Sequence, residues 1–353
     1  MKKLRIGVIG LGMGRHHIAG YVKHRAAQVV AIADPDAARL EEIGSRFGIA
    51  ARYTDGRQMI AREGLDIVSV ATPNRFHAPL TLAALKAGAH VLCEKPMAMT
   101  AAEARAMLDA ARRARRRLMI NFSYRFSAAS QQLRREVDRG VLGDVYFART
   151  FWHRSRGIPR FGGWFGQREL SGGGPLIDLG VHRLDLALWL MGYPQPEWIM
   201  GATYDPIAAR LAREQRVKFD VEDLASGFIR FRNGASLVVE ASWAANIAEP
   251  ELMETRLFGT RGGLVQHNVN GGYSFEAEVF VERGGRVVAR KLPEPRRPAP
   301  SSYVHFVDAI VRDRPHLATG EEGLIVMEIL ESLYRSAATR RPVRVGPARA
   351  RGA

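Results

Sequence analysis

Apolar residues follow two rhythms along the 353-residue chain, and the change between them divides it. In the first part, mostly apolar runs at 4–9, 28–33, 66–71, 89–93 and 118–121 read as strands buried on both faces, as in a parallel sheet. Between them, 36–47 and 78–87 read as helices, and Thr100-Ala101-Ala102-Glu103 is a capping box opening a helix to about residue 115. Strand and helix in alternation predict an α/β fold, a Rossmann-type, doubly wound parallel sheet occupying residues 1–123.

From residue 124 the rhythm changes. A helix over 127–139 precedes strand-like stretches at 145–152, 225–231, 235–243 and 255–258, with Asn233-Gly234 as a hairpin turn. These predict a C-terminal α+β domain over 124–345, carrying a large, open, mostly antiparallel sheet. Residues 176–191, bracketed by Pro175 and Gly192, read as one helix. A proline-rich connector at 292–298 leads to a helix over 303–312 and to another, capped at Thr319-Gly320-Glu321-Glu322, that runs to about 338. The segment 346–353 reads as a disordered tail.

Charge changes this picture little. The excess of 52 Lys plus Arg over 36 Asp plus Glu, a net +16, raises the question of a nucleic-acid or membrane partner. Apart from Arg112-Arg113-Ala114-Arg115-Arg116-Arg117 and Arg340-Arg341, however, the arginines are scattered and no DNA-binding motif accompanies them, so no nucleic-acid partner is expected. No apolar run approaches the roughly 18 residues of a membrane span, and the run at 6–9 is too glycine-rich and too soon followed by Arg15 for a signal peptide. Cys93, the one cysteine, excludes an intrachain disulfide and suits the cytoplasm. His16 and His17 are adjacent and diverge on a helix, so no metal is expected.

Four places carry candidate chemistry. Gly10-Leu11-Gly12-Met13-Gly14 joins a strand to a helix, the context of a dinucleotide turn: Gly10 permits the bend, Gly12 the approach of a pyrophosphate to backbone, and the helix N-terminus offers N–H groups. The spacing departs from the usual pattern, with Arg15 where a third glycine belongs, and implies a tighter turn. Asp34, 22 residues beyond Gly12, suits the ribose hydroxyls of NAD and repels a 2′-phosphate; Arg39 keeps NADP open. Lys95, one of only seven lysines, ends the strand 89–93 at the sheet edge where ligands bind, beside the polar turn Thr72-Pro73-Asn74-Arg75-Phe76-His77; the plain alternative is an ion pair with Glu94 in solvent. Asp178, His182 and Asp185, at i, i+4 and i+7, put one polar stripe on an otherwise apolar helix, which requires a hydrogen-bonded network or a site.

The glycine turn, Asp34, Ala71-Thr72-Pro73-Asn74 with His77, Glu94-Lys95-Pro96, and Asp178-Leu179-Gly180-Val181-His182 behind a Gly-Gly-Gly-Pro turn together resemble the Gfo/Idh/MocA family, named for glucose-fructose oxidoreductase and inositol dehydrogenase. The resemblance spans nearly the whole chain. It implies an NAD(P)-dependent dehydrogenase that moves hydride between a secondary alcohol of a sugar, sugar derivative or cyclitol and nicotinamide. Lys95, Asp178 and His182 then form the catalytic group. Gly10, Gly12, Met13, Gly14, Asp34, Thr72, Pro73, Asn74, His77, Glu94 and Lys95 line the cofactor. The resemblance also implies a cis Lys95-Pro96 peptide and an open sheet that packs against other subunits in a dimer or tetramer. Tyr124, Arg125 and Trp164 join the catalytic group as substrate-binding candidates. Trp164 lies with Phe161 and Phe165 in a glycine-rich loop whose rings could stack on sugar C–H faces, or simply pack. Two alternatives stay open: an NADPH-dependent ketose or aldehyde reductase, and a silent NAD-responsive regulator, against which the presence of both Lys95 and His182 counts.

Overall fold

The strand β1 (Leu4–Ile9) buries Ile6, Val8 and Ile9, so it needs a strand on each edge and helices on both faces. A computed structural model, which describes residues 3–293 and 299–346, supplies both. Among the described residues the first sheet joins β1 to β2 (Ala27–Ala33), β3 (Ala51–Tyr53), β4 (Ile67–Val70), β5 (His90–Cys93) and β6 (Leu118–Ile120), in the order β3-β2-β1-β4-β5-β6. Every pairing is parallel. The crossovers are α1 (Leu11–Tyr21), α2 (Ala37–Phe47), α3 (Gly56–Arg62), α4 (His77–Lys86) and α5 (Ala101–Ala114). Strand order reverses between β1 and β4, and their carboxyl ends flank the crevice where such sheets bind ligands. β3 and α3 leave no sequence signature because three and seven residues are too few for a period.

In the second unit α6 (Ala128–Asp138) leads into β7 (Val145–Arg154), and α7 (Arg168–Ser171) precedes the 176–191 segment. That segment is not one α-helix: Leu176–Gly180 is a π turn, and α8 (Val181–Met191) follows. Next come β8 (Pro196–Tyr204), α9 (Pro206–Gln215), β9 (Leu224–Phe231), β10 (Ser236–Ser242), β11 (Glu251–Gly259), β12 (Gly262–Asn268), β13 (Phe275–Arg283) and β14 (Arg286–Lys291). Together with β15 (Val343–Arg344) these form a sheet in the order β14-β13-β12-β11-β7-β10-β9-β8-β15. It is antiparallel except for β7 with β10. Gly234, at φ +87°, makes the predicted hairpin turn between β9 and β10.

Register separates the two faces of this sheet. Ala148, Leu237, Ile229, Ile199 and Leu257 align across five strands on one face and are fully buried. Trp198, Arg230, Ser236, Phe147 and Phe258 align on the other. There Trp198 meets Phe228 and Phe147 meets Phe258, with ring centroids 5.8 and 5.5 Å apart.

The chain then passes through α10 (Ser302–Val311) and α11 (Gly320–Thr339). The sequence assigns all of 124–345 to the second domain, but Pro300–Met327 clusters with the first unit, which otherwise holds the chain up to Ser123. The cause is packing: Tyr303 lies against His17 and Tyr21, with centroids 4.7 and 5.5 Å away, and Ile120 donates its N–H to Ala318. Tyr124 to Ala299 and the chain from Glu328 make up the second unit. Residues 294–298 of the predicted connector, and all of the predicted tail but Gly346, lie outside the described residues. No described helix is long and apolar enough to cross a membrane.

Candidate functional site

In the first unit the chemistry gathers at the carboxyl edge of the sheet. Gly10 bends the chain from β1 into α1 at φ +86°, and a Cβ there would fall 2.4 Å from the Ala71 carbonyl oxygen, so only glycine fits. A Cβ on Gly14 would fall 2.8 Å from Val8 Cγ1; this residue lets α1 lie close on β1, as the missing third glycine would. A Cβ on Gly12 would meet nothing within 4 Å. Space therefore opens at the N-terminus of α1, where unsatisfied N–H groups and the positive dipole end favour a phosphate, with exposed Met13 beside it. A dinucleotide fits this cradle.

Asp34 ends β2 where predicted, but its carboxylate is already engaged. It accepts from the N–H groups of Leu11 at 2.7 Å and Asp36 at 2.9 Å, and from Arg39 Nη1 at 3.2 and 3.3 Å. Thus it ties β2 to the start of α1, and the half-exposed Arg39 guanidinium pairs with it at 3.2 Å.

Thr72, Pro73 and Asn74 form the turn after β4, as expected. His77 is placed differently: it is fully buried, with its ring nitrogens 2.7 Å from the Pro96 carbonyl and 2.9 Å from that of Thr72. Burial lowers its pKa against the pull of the two carbonyls, so the ring, when neutral, donates its single N–H to one of them. It joins the two ligand-edge loops from behind.

Glu94 likewise faces inward rather than towards a ligand. Its Oε1 lies 2.8 Å from His17 Nε2 and accepts from Asn121 Nδ2 at 2.5 Å, and its Oε2 accepts the Lys95 N–H at 3.2 Å. His17 Nδ1 in turn lies 2.7 Å from Ser69 Oγ. Burial alone would raise the Glu94 pKa; the hydrogen bond and charge of His17, then Asn121 and Lys95, outweigh it and bring the carboxyl down to about 2. Lys95 thereby stands at the end of a strand whose last backbone is held by α1, β4 and β6, and the Lys95-Pro96 peptide is cis. His17 escapes sequence reading because, paired with His16, it registers only as a rejected metal ligand; its position one turn beyond Gly14, facing the sheet, is the available signal.

In the second unit the π turn and α8 present Asp178 and His182. Asp178 Oδ2 accepts from the indole Nε1 of Trp243 at 3.1 Å. His182 packs edge-on to Tyr124, centroids 4.9 Å apart at 63°, and against Trp152 at 5.9 Å. Behind Trp152, its Nε1 donates to Glu251 at 2.8 Å, and Glu251 pairs with Arg154 at 2.9 Å. Trp164 stacks on Phe165 at 3.8 Å, and Phe165 meets Trp243 edge-on at 6.4 Å, so this loop ring touches the Asp178 support rather than standing apart.

Asp185, the third residue of the predicted stripe, is engaged by protein groups of its own. It is buried in a fork with Arg125, whose Nε and Nη2 donate at 2.9 and 2.5 Å, and it accepts from Tyr193 at 2.6 Å. Arg125, proposed from sequence as a substrate contact, is fully buried over Trp189 and Tyr193. Sequence reading missed Trp243 as a donor, and altogether missed Glu251 and Tyr273, whose hydroxyl donates to Glu251 at 2.6 Å, since their partners are distant in the chain. What results is a carboxylate and an imidazole set in aromatic walls, able to hold hydroxyl groups, accept a proton and stack on apolar ring faces.

Two profiles of known families match the chain. One, described as an oxidoreductase family with an NAD-binding Rossmann fold, covers residues 4–122; the other, its C-terminal alpha/beta domain, covers 134–345. D-glucoside 3-dehydrogenase of Escherichia coli strain K12 is 34% identical over 95% of this chain and 96% of its own length. 1,5-Anhydro-D-fructose reductase of Ensifer adhaerens is 29% identical over 95% and 96%. A structure of levoglucosan dehydrogenase in complex with NADH superposes with a TM-score of 0.85 at 25% identity, covering 98% of this chain and all of that one.

Proposed function

The chain belongs to the Gfo/Idh/MocA oxidoreductase family, and from that premise we propose that it oxidises a secondary alcohol of a sugar, sugar derivative or cyclitol. The observation that carries the reading is the pairing of Asp178 and His182 with aromatic walls in one unit, in a chain whose other unit has a dinucleotide cradle and a lysine at its ligand edge. Bound NAD supplies the hydride acceptor. The roles then follow from each side chain. His182 takes the hydroxyl proton, Lys95 donates to the same oxygen as negative charge develops, and Asp178, oriented by Trp243, holds a neighbouring hydroxyl. A relative named a reductase supports the opposite direction as a second reading, in which His182 would return the proton.

Self-association through the face carrying Trp198, Phe228, Phe147 and Phe258 belongs to the same proposal, as does a cytoplasmic setting, which the buried free thiol of Cys93 suits. Lys95→Ala and His182→Ala test the roles. Each is expected to lose turnover by roughly two or more orders of magnitude while binding NADH nearly as the parent does. Loss of NADH binding in both would overturn them.

A further inference from the structure

Arg183 follows His182 on α8, and its side chain is wholly buried. A guanidinium out of water is costly unless a carboxylate or a full set of acceptors meets it. Among the described residues Arg183 has neither. Its Nη1 donates to Gln266 Oε1 at 3.3 Å, while Nε and Nη2 have no hydrogen-bond partner and no ion pair forms. Gln266 cannot turn to offer more, because its own Nε2 donates to Ser130 Oγ at 2.8 Å. What Arg183 has instead is π faces: Cζ lies 5.7 Å from the centre of the Tyr124 ring and 5.6 Å from that of Phe275. Burial draws its pKa down to about 10, against the opposing pull of Tyr124 and Glu254, so it remains a cation at neutral pH.

Tyr124 touches both members of the pair, meeting Arg183 with its face and His182 at 4.9 Å. Of the charged groups near His182, Asp178 stands one turn earlier in the chain, and Arg154 from β7 and Glu251 from β11 pair with each other, with Tyr273 bonded to both. Arg183 itself makes no ion pair among the described residues, and Glu254, whose charge acts on it, is already paired with Arg256 at 3.0 Å.

We propose that Arg183 is a positioning residue that acts through Tyr124: it fixes the ring against which His182 rests, and its unneutralised charge keeps the imidazole neutral and able to take a proton. This rests on the reading of His182 as the proton acceptor. It explains why a buried arginine stands beside His182 without a carboxylate, since an ion pair would cancel the field.

The test is the titration of His182 in the full-length protein with ¹³C-labelled histidine, its resonance identified by its loss in His182→Asn. In Arg183→Met the midpoint is expected to rise by about one pH unit, and Arg183→Lys, which keeps the charge, to hold most of the parent value. Gln266→Glu, which offers the guanidinium a carboxylate, should raise the midpoint even if Arg183→Met fails to fold. An unchanged midpoint in folded Arg183→Met or in Gln266→Glu overturns the proposal, as does an equal rise in the Met and Lys variants. Because the titration reads the imidazole whether or not a sugar is turned over, its failure is distinct from failure of the proposed activity.

Discussion

The indole of Trp243, one residue past the end of β10, donates to Asp178 Oδ2 across 3.1 Å and so fixes the carboxylate of the π turn from a distant strand. Trp243→Phe preserves the ring but removes the donor. A hydrogen bond to a charged group contributes about 1.5–3 kcal/mol, so kcat/KM is expected to fall roughly tenfold to a hundredfold, with NADH affinity unchanged. Steady-state kinetics beside an NADH fluorescence titration checks this; an unaltered kcat/KM would show that Asp178 needs no such support.

The glycine turn makes a paired prediction. Gly14→Ala drives a Cβ to 2.8 Å from Val8 and should destabilise the fold by about 1–3 kcal/mol, whereas Gly12→Ala meets no protein atom within 4 Å. Gly12→Ala should therefore keep its melting temperature yet weaken NADH binding severalfold, since the methyl enters the dinucleotide's approach. Thermal melts with and without NADH separate the two; a Gly12→Ala protein that melts early, or binds NADH normally, contradicts the assignment.

Stability should fall on acidification through Glu94. Its folded pKa, about 2, lies below the ordinary 4.5, so its ionisation stabilises the fold above about pH 4.5 and that contribution disappears as pH falls towards 2. The full contribution is on the order of 3 kcal/mol. Urea unfolding at pH 7, 4 and 3 should show the parent losing stability faster than Glu94→Gln, which is already weaker at pH 7. Parallel loss in the two proteins would remove Glu94 from the account.

All of the parallel sheet but β3 was legible in the sequence, because those strands are mostly apolar runs and their punctuation is chemical: Gly10 before α1, Asp34 after β2, Pro96 after β5. The second sheet was legible only in part. β8, β12, β13 and β14 mix charged residues and glycines with apolar ones, and their pairing is decided by neighbours far away in the chain. Lys95, Asp178 and His182 stood out as polar residues at ends or faces of apolar elements. The division of labour among their neighbours did not, since Glu94, His77 and Arg125 have the residue types of ligands but turn inward to bind protein. Nor could residue spacing reveal that Asp185 is taken up by Arg125 and Tyr193.

Arg125 and Asp185 supply the test of that inward role. Both are fully or almost fully buried, and removing one partner strands the other charge. Arg125→Met and Asp185→Asn should each cost about 3–5 kcal/mol in urea unfolding, an amount expected of a structural pair. Should Arg125→Met unfold as the parent does while KM rises, Arg125 would be a substrate residue after all.

The most direct test of the whole account is the initial rate of NADH formation by the purified protein at alkaline pH, with NAD and a panel of inositols, hexoses, glucosides, anhydro-sugars and sugar acids. The account predicts turnover with one group of these alcohols, abolished in His182→Ala and Lys95→Ala. Silence across the panel and with the corresponding ketones and NADH, in a protein that still binds NADH tightly, would contradict it.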